Sequence, residues 1–134
     1  MDELGESVGD ALLRPHLNYR KPIEKWLSSG INLKGLSHIT GGGFLENIPR
    51  ILPEGTAVEI EKGTWPKLPV FDVIAKLGEV EELEMYRTFN MGVGLVAVVP
   101  ADQADAALEA IRNDGGDAYR VGSVIEGNQK VLLK

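Results

Sequence analysis

Residues 35–50 read Gly-Leu-Ser-His-Ile-Thr-Gly-Gly-Gly-Phe-Leu-Glu-Asn-Ile-Pro-Arg and join an apolar pattern to three consecutive glycines. The apolar spacing predicts a strand over 31–40 that leads into the glycines. Beyond them, Pro49 cannot lie deep inside a helix, because it lacks an N–H group and clashes one turn back. Either Asn47 caps a short helix with Pro49 in its first turn, or a helical turn begins at the glycines and tolerates the proline early.

The bulk composition favours a single globular domain over residues 1–134 and excludes several classes of protein. With 43% hydrophobic and 25% charged residues, the chain can bury a core. Its net charge of −6 argues against a nucleic-acid binder, which needs a basic face. No apolar run approaches the roughly 20 residues of a membrane span, and we expect no secretory signal and no membrane partner. Because there is no cysteine, disulfides are excluded and a cytoplasmic location is expected.

Outside 35–50, periodicity and turn residues predict an α+β fold in which helices pack on a mixed sheet. The run 94–99 is apolar throughout and is predicted as a strand buried on both faces. The segments 119–125 and 130–133 flank Glu126-Gly127-Asn128 and are predicted to form a hairpin. The other predicted elements are a strand over 56–61 and helices over 22–28 or 22–29, over 69–77, over 81–88, and from an N-cap at Asp102 to Gly115-Gly116.

Three consecutive glycines at the entrance to a helix are typical of an anion site. Without side chains, Gly41, Gly42 and Gly43 can adopt left-handed conformations that turn successive N–H groups toward one ligand, most often a phosphate. A helix N-terminus adds partial positive charge. The alternative is a tight turn in which the missing side chains only make room for packing. The spacing matches neither the dinucleotide-binding fingerprint nor a P-loop.

Four polar side chains near these motifs are further candidates, each with a structural alternative. His38 has the titration range for proton transfer, or is a partly buried structural histidine. Asn90, in the sequence Asn-Met-Gly-Val-Gly, can bind a substrate amide or hydroxyl group, or hold a turn. Arg50 and Arg87 can bind phosphate as forks, although surface arginines are common. With two histidines and no cysteine, a structural zinc site is not expected and no metal ligands are assigned.

Taken in chain order, these motifs resemble one enzyme family. Residues 35–50, and residues 84–94 with the sequence Glu-Met-Tyr-Arg-Thr-Phe-Asn-Met-Gly-Val-Gly, resemble signatures of the aminoimidazole ribonucleotide synthetases. The second motif is the more diagnostic, because related ATP-dependent families such as selenophosphate synthetase share the general fold without it. Residues 4–7, Trp65-Pro66 and 121–124 also fit, so the resemblance covers essentially the whole chain. One stretch departs: residues 16–19 keep the family's tyrosine, Tyr19, but Leu17 stands where a basic residue is usual.

The resemblance implies the carboxy-terminal, substrate-cleft half of an ATP-dependent cyclo-ligase, which converts formylglycinamidine ribonucleotide to aminoimidazole ribonucleotide in purine biosynthesis. In that family ATP and Mg²⁺ bind mostly to an amino-terminal domain, which also makes the homodimer contact. That domain is absent from this sequence, so we expect the chain alone to bind no cofactor and to be inactive. By analogy, the three glycines point toward a phosphate, with Asn47 and His38 beside them and Asn90 near the reacting end of the ribonucleotide.

Two other functions stay open at this point. One is a stand-alone module that binds a phosphorylated metabolite, which tight binding by the chain alone would favour. The other is a structural or oligomerisation domain whose glycines serve turns only. A folded Gly42→Ala variant that works normally in the full-length enzyme would favour that second alternative.

Overall fold

A computed structural model describes residues 2–134 and confirms the predicted α+β class. The helices are α1 (Val8–Leu12), α2 (Arg20–Ser28), α3 (Gly43–Asn47), α4 (Pro69–Gly78), α5 (Glu82–Thr88) and α6 (Ala104–Arg112). The strands are β1 (Gly35–His38), β2 (Thr56–Ile60), β3 (Leu95–Val98), β4 (Gly122–Glu126) and β5 (Val131–Leu133). Short 3-10 turns lie at Asp2–Leu4, Ile48–Ile51 and Ala101–Gln103. Among the described residues, no helix is both long and apolar enough to cross a membrane.

The strands form two sheets, and the predicted hairpin between 119–125 and 130–133 is wrong. β1 pairs with β3 in an antiparallel sheet of two strands, whereas the second sheet has the order β4-β2-β5. β2 therefore lies between the two strands that were expected to pair, antiparallel to β4 and parallel to β5. This arrangement gives β2, the most buried of the three strands, hydrogen-bonded neighbours on both edges, as buried backbone groups require.

The expectation that 94–99 is buried on both faces is also wrong. The strand runs over Leu95–Val98, and only Val96 is buried, while its neighbours are half-buried. In a sheet of two strands, each strand has one unpaired edge. Fewer neighbouring segments therefore cover β3 than would cover a central strand of a larger sheet.

Most predicted helix boundaries are confirmed to within two residues, with one capping error. α2 begins at Arg20 rather than Pro22, so that Pro22 lies in the first turn, where its missing N–H group costs nothing. Asp102 does not cap α6. After Pro100 the chain first forms a 3-10 turn, in which the Gln103 N–H group donates to the Pro100 carbonyl at 3.0 Å. The α-helix therefore starts at Ala104, with Gln103 as its N-cap.

Both alternatives for the segment after the glycines occur in succession. The short helix α3 begins at Gly43, with Gly42 as its N-cap in a left-handed conformation (φ 99°). It ends at Asn47, which is in turn the N-cap of the 3-10 turn Ile48–Ile51. Pro49 falls in the first turn of that second element, where proline is tolerated.

An aromatic cluster joins the two sequence motifs in the core. The ring of Phe44 is fully buried, 5.7 Å from the ring of Trp65 and 5.9 Å from that of Tyr86 between centroids. Trp65 Nε1 donates to the carbonyl of Met91 at 2.9 Å. Each buried ring of this kind stabilises the fold by roughly 2–3 kcal/mol. Residues 35–50 and 84–94 are therefore held against one another from within the core.

Candidate functional site

The ends of both motifs meet at one edge of the molecule. In the antiparallel pair β1–β3, His38 at the end of β1 lies opposite Leu95 at the start of β3. One residue further on, the Ile39 N–H group donates to the Gly94 carbonyl at 2.9 Å. We call this region, formed by residues 38–47 and 90–94, the glycine edge. It brings together His38, the three glycines, Asn47 and Asn90, as the combined motifs led us to expect.

The three glycines have different surroundings within the glycine edge. Gly41 is exposed, and a Cβ atom added there would have no neighbour within 4 Å. A Cβ atom at Gly43 (φ 53°) would overlap the carbonyl oxygen of Tyr86 and lie 2.8 Å from that of Phe89. The Gly43 N–H group is also used internally, donating to the Thr40 carbonyl at 3.0 Å. Among the described residues, the N–H groups of Gly41 and Gly42 have no hydrogen-bond partner, so they are free to meet a ligand.

Asn47 organises the loop from beneath. Its side chain is buried, 4% exposed, and its Nδ2 lies 2.8 Å from the Gly43 carbonyl oxygen, 3.2 Å from that of Gly41 and 3.3 Å from that of Thr40. The three nearby carbonyl groups fix the amide orientation, because only the NH₂ group can donate to them. Asn47 thus shapes the loop directly, and its predicted contact with substrate stays a prediction.

Two charged side chains flank the loop. Arg50 is exposed, and its guanidinium donates to Asn47 Oδ1 at 3.3 Å, which places a cation near the glycines. The Glu46 side chain folds back over Gly42, where an added Cβ atom would lie 2.8 Å from one carboxylate oxygen. A carboxylate at this distance opposes a phosphate at Gly42, since like charges repel. Gly41 is therefore the glycine most open to an anion.

His38 is exposed and belongs to a cluster of three rings. Its centroid lies 4.9 Å from that of His16 and 6.1 Å from that of Tyr19, and all three pairs meet edge to face. His16 Nδ1 lies 3.2 Å from the Leu17 carbonyl oxygen, to which it can only donate, so the Nε2 of neutral His16 is an acceptor. A Cβ atom at Gly94 would overlap the Tyr19 hydroxyl. Burial raises the pKa of Tyr19, an effect that the nearby Gly94 backbone partly offsets, and the phenol is neutral at neutral pH.

The remaining predicted residues have local partners. Asn90 is half-buried, and its Oδ1 accepts from the Gly92 N–H group at 3.0 Å, within a turn closed by the Val93 N–H group and the Asn90 carbonyl at 2.9 Å. Arg87 is exposed and pairs with Glu84 at 3.1 Å, an ion pair worth little in water. Neither observation tests a substrate contact, and both assignments stay predictions.

Three residues in or beside the glycine edge, namely His16, Tyr19 and Glu46, are not among the site residues predicted from the sequence. Glu46 lies inside the glycine motif, and its position four residues after Gly42 is a signal that its side chain can fold back onto the loop. His16 and Tyr19 lie in the stretch that departs from the family pattern. No local periodicity links them to β1 or to Gly94, which is 75 positions after Tyr19 in the chain.

A cavity of about 380 Å³ borders the 84–94 motif but is lined by none of the predicted site residues. Its walls include Trp65, Phe71 and Tyr86, and Lys62 at its border pairs with Glu82 at 2.8 Å. His38, the three glycines, Asn47 and Asn90 instead share the glycine edge, which is open to solvent at Gly41 and His38.

Nearly the whole chain is similar to known proteins. The family model described as AIR synthase related protein, C-terminal domain, matches residues 1–134. A phosphoribosylformylglycinamidine cyclo-ligase of Caldanaerobacter subterraneus subsp. tengcongensis is 44% identical over 131 residues, which are 98% of this chain and 38% of that protein. The protein of that name from Bifidobacterium longum is 48% identical over 136 residues, covering 98% of this chain and 39% of that protein. The chain thus spans less than two fifths of the length of these relatives.

Solved structures show the same fold at lower identity. E. coli HypE, a hydrogenase maturation protein, superposes with a TM-score of 0.65 at 24% identity, over 86% of this chain and 35% of that chain. A HypE–HypF complex gives a TM-score of 0.65 at 23% identity, over 94% of this chain and 43% of that chain. At such identities the likeness concerns the fold alone.

Proposed function

The chain belongs to the family of AIR synthase related proteins, as their C-terminal domain, and from this premise we propose that it is the substrate-cleft half of an ATP-dependent cyclo-ligase. The proposed reaction converts formylglycinamidine ribonucleotide to aminoimidazole ribonucleotide in purine biosynthesis. The main support is the match over 98% of this chain to relatives named phosphoribosylformylglycinamidine cyclo-ligase. The meeting of both family motifs at the glycine edge adds a second, geometric argument.

The proposed reaction has two steps, a phosphoryl transfer and a ring closure. The γ-phosphoryl group of ATP passes to the formyl oxygen, which leaves ADP and an activated carbon. An amidine nitrogen then bonds to that carbon, the carbon–oxygen bond breaks, and phosphate departs with the oxygen. The attacking nitrogen must also lose a proton, so the site needs a group that can accept one.

Within this half of the site, we assign the ribonucleotide phosphate to Gly41. Gly41 is open and its N–H group is free, whereas Gly42 lies under the Glu46 carboxylate and Gly43 is packed against α5. The Arg50 guanidinium is held beside the loop by its hydrogen bond to Asn47. It adds a local positive charge in a chain whose net charge is −6. Backbone donors with one fork-shaped cation are a common way to hold phosphate in an acidic protein.

We assign His38 to proton transfer and Asn90 to the reacting end of the ribonucleotide. His38 is exposed at the end of β1, so a ligand can reach its imidazole. A histidine is suited to accept the nitrogen proton, because its ordinary pKa lies near neutral pH. The Asn90 Oδ1 holds the turn, which leaves its NH₂ group for the substrate.

The other half of the proposed site belongs to the part of the relatives that this chain does not span. We propose that this part holds ATP with its Mg²⁺ and makes the homodimer contact. The residues described here then bind and orient the ribonucleotide and exchange one proton with it. A half-site of this kind binds its ligand weakly alone, since each half makes only part of the contacts.

A domain exchange tests the proposal. The C-terminal segment of the Bifidobacterium longum relative is replaced by this chain, and aminoimidazole ribonucleotide formation is followed with formylglycinamidine ribonucleotide and ATP. We expect turnover by the chimera comparable to that of the parent enzyme, and none by this chain alone or by the truncated parent. A folded chimera that makes no product, beside an active parent, contradicts the proposed activity. Turnover by the chain alone contradicts the division into halves.

Calorimetry on the isolated chain separates the proposal from a stand-alone binding module. Formylglycinamidine ribonucleotide is titrated into the chain and into the active chimera. The half-site predicts markedly weaker binding to the chain than to the chimera. Equally tight binding to both favours the module.

A further inference from the structure

We infer that Tyr19 is a positioning residue that holds the His38 imidazole at the glycine edge, and that Gly94 lacks a side chain because Tyr19 occupies that space. The kinetic consequence of this inference rests on the proposed function, whereas the contact itself does not. Tyr19 lies 19 positions before His38 and 75 before Gly94, and the fold alone brings the three together.

The three-ring cluster restricts His38 on two sides. His38 ends β1 and is exposed, so an isolated imidazole there would sample several rotamers. The rings of His16 and Tyr19 stand edge to face against it at 4.9 and 6.1 Å, and against each other at 5.7 Å. Edge-to-face pairs at these centroid distances are favourable, so two of them together favour the one His38 rotamer that makes both.

The Tyr19 hydroxyl anchors the cluster to the strand ends. It fills the place where a Gly94 side chain would lie and so packs directly against the Gly94 backbone. The Gly94 carbonyl accepts from Ile39, the residue directly after His38. Tyr19 therefore contacts the β1–β3 pair through its hydroxyl and His38 through its ring. Because burial raises its pKa, the phenol is neutral at neutral pH and adds no charge to the cluster.

The helix α2 sets the place of Tyr19 from the other side. The Tyr19 carbonyl accepts from the Ile23 N–H group at 3.1 Å, so the residue is joined to the first turn of α2. Trp26 in the same helix donates to the Ala107 carbonyl at 2.8 Å and fixes α2 against α6. The ring of Tyr19 is thus presented to His38 from a docked helix, although residues 16–19 have no regular structure.

Kinetics of the active chimera test the inference. Tyr19→Phe removes the hydroxyl anchor and keeps the ring, so we expect kcat to fall by roughly ten- to a hundredfold with KM unchanged, because a misplaced proton acceptor affects the reacting state more than binding. Tyr119→Phe, which removes the hydroxyl of an exposed tyrosine outside the cluster, leaves both constants unchanged. An unchanged kcat in Tyr19→Phe, in a chimera whose kcat falls on His38→Gln, refutes the inference and leaves the proposed function standing.

A double-mutant comparison separates positioning from general damage. Gly94→Ala places its methyl group on the Tyr19 hydroxyl oxygen, its nearest neighbour by far, and 2.8 Å from His16 Cε1, so it must displace Tyr19 most and His16 less. After Tyr19→Phe that oxygen is gone, and the same Gly94→Ala change costs less activity. Losses that simply multiply in the double variant count against a shared contact. Gly9→Ala, at a glycine with no atom closer than 3.7 Å to an added Cβ atom, is the matched control.

NMR on the isolated chain decides the contact even if the chimera is inactive. The Hα–Hβ couplings of His38 report how many side-chain rotamers it samples. We expect one rotamer in the wild-type chain and averaged rotamers in Tyr19→Ala. Averaging already in the wild-type chain, or couplings that Tyr19→Ala leaves unchanged, overturns the inference.

Discussion

The loop at residues 41–43, with Asn47 beneath it, and the turn at residues 90–94 both combine glycines with an asparagine, but they use these residues differently. In the loop, the buried Asn47 amide donates to the carbonyl groups around it. In the turn, the half-buried Asn90 accepts from the Gly92 N–H group. Gly41 in the loop faces open space, whereas Gly94 makes room for Tyr19. The same residue types thus leave open space in one place and allow close packing in the other.

The difference also exists within the loop. Gly41 and Gly43 are two positions apart, yet only Gly43 is in contact with another part of the backbone, at Tyr86 and Phe89 of the second motif. Gly43 therefore ties the loop to α5, whereas Gly41 stays open to solvent, which is why we propose it for the phosphate. Four substitutions can break or sharpen these two comparisons.

The largest effect is expected for Gly43→Ala. The added methyl group would overlap the Tyr86 carbonyl oxygen, which cannot move without distorting α5, and the backbone at φ 53° disfavours any side chain. We expect the free energy of unfolding to fall by more than about 3 kcal/mol. Urea denaturation followed by circular dichroism of the isolated chain measures this loss. A loss below about 1 kcal/mol would show that the contact between the motifs is loose.

The second effect compares the two asparagines. Asn47→Asp replaces a buried donor by a carboxylate that faces the carbonyl oxygens of Gly41 and Gly43, at a cost of about 3 kcal/mol in the free energy of unfolding. Asn90→Asp keeps the oxygen that accepts from Gly92, so its change should stay within about 0.5 kcal/mol. Equal losses in the two variants would contradict the assignment of one asparagine as donor and the other as acceptor.

The pH dependence of the Asn47→Asp variant checks the same assignment. The three carbonyl oxygens raise the pKa of a carboxyl group at position 47, and the Arg50 guanidinium, 3.3 Å from the Asn47 oxygen, lowers it. Because Arg50 is exposed and screened by solvent, we expect the carbonyl oxygens to dominate and the folded-state pKa to be raised. The variant's deficit relative to wild type is then complete at neutral pH and shrinks as the pH falls toward about 4, the range of an ordinary aspartate. A stability deficit that does not change with pH would mean that the variant is destabilised by altered packing of the loop and not by a buried carboxylate that has replaced a donor.

Local patterns predicted the elements well wherever proline and glycine mark both ends. The helix over 69–77 was confirmed as Pro69–Gly78, because Pro69 fits a first turn and Gly78 lies at the other end. Pairing was predicted less well, since alternation identifies a strand but not its neighbour. The segments expected to form a hairpin are instead separated by β2, a strand more than 60 positions earlier in the chain.

The site follows the same division between local and distant information. His38, Asn47, Asn90 and the three glycines could be chosen from motifs, and the antiparallel pair β1–β3 brings them to one edge. Tyr19 could not, because its partners are set by the docking of α2 on α6. Nor does the sequence distinguish Gly41 from Gly43. The difference is that the carbonyl groups at the end of α5 contact Gly43, whereas nothing lies within 4 Å of an added Cβ atom at Gly41.

Gly41→Ala should have the smallest effect on stability. Gly41 does not have a left-handed φ, and an added methyl group meets no atom within 4 Å, so the free energy of unfolding should stay the same or rise by up to about 1 kcal/mol as the unfolded chain loses freedom. The same methyl group lies where we assign the phosphate. In the active chimera, KM for formylglycinamidine ribonucleotide should therefore rise, whereas kcat should change little because His38 is not disturbed. An unchanged KM in a stable variant would contradict the assignment of the phosphate to Gly41. The loop and the turn would then differ only in how their residues pack. A stability loss as large as that of Gly43→Ala would mean that the whole loop is part of the core.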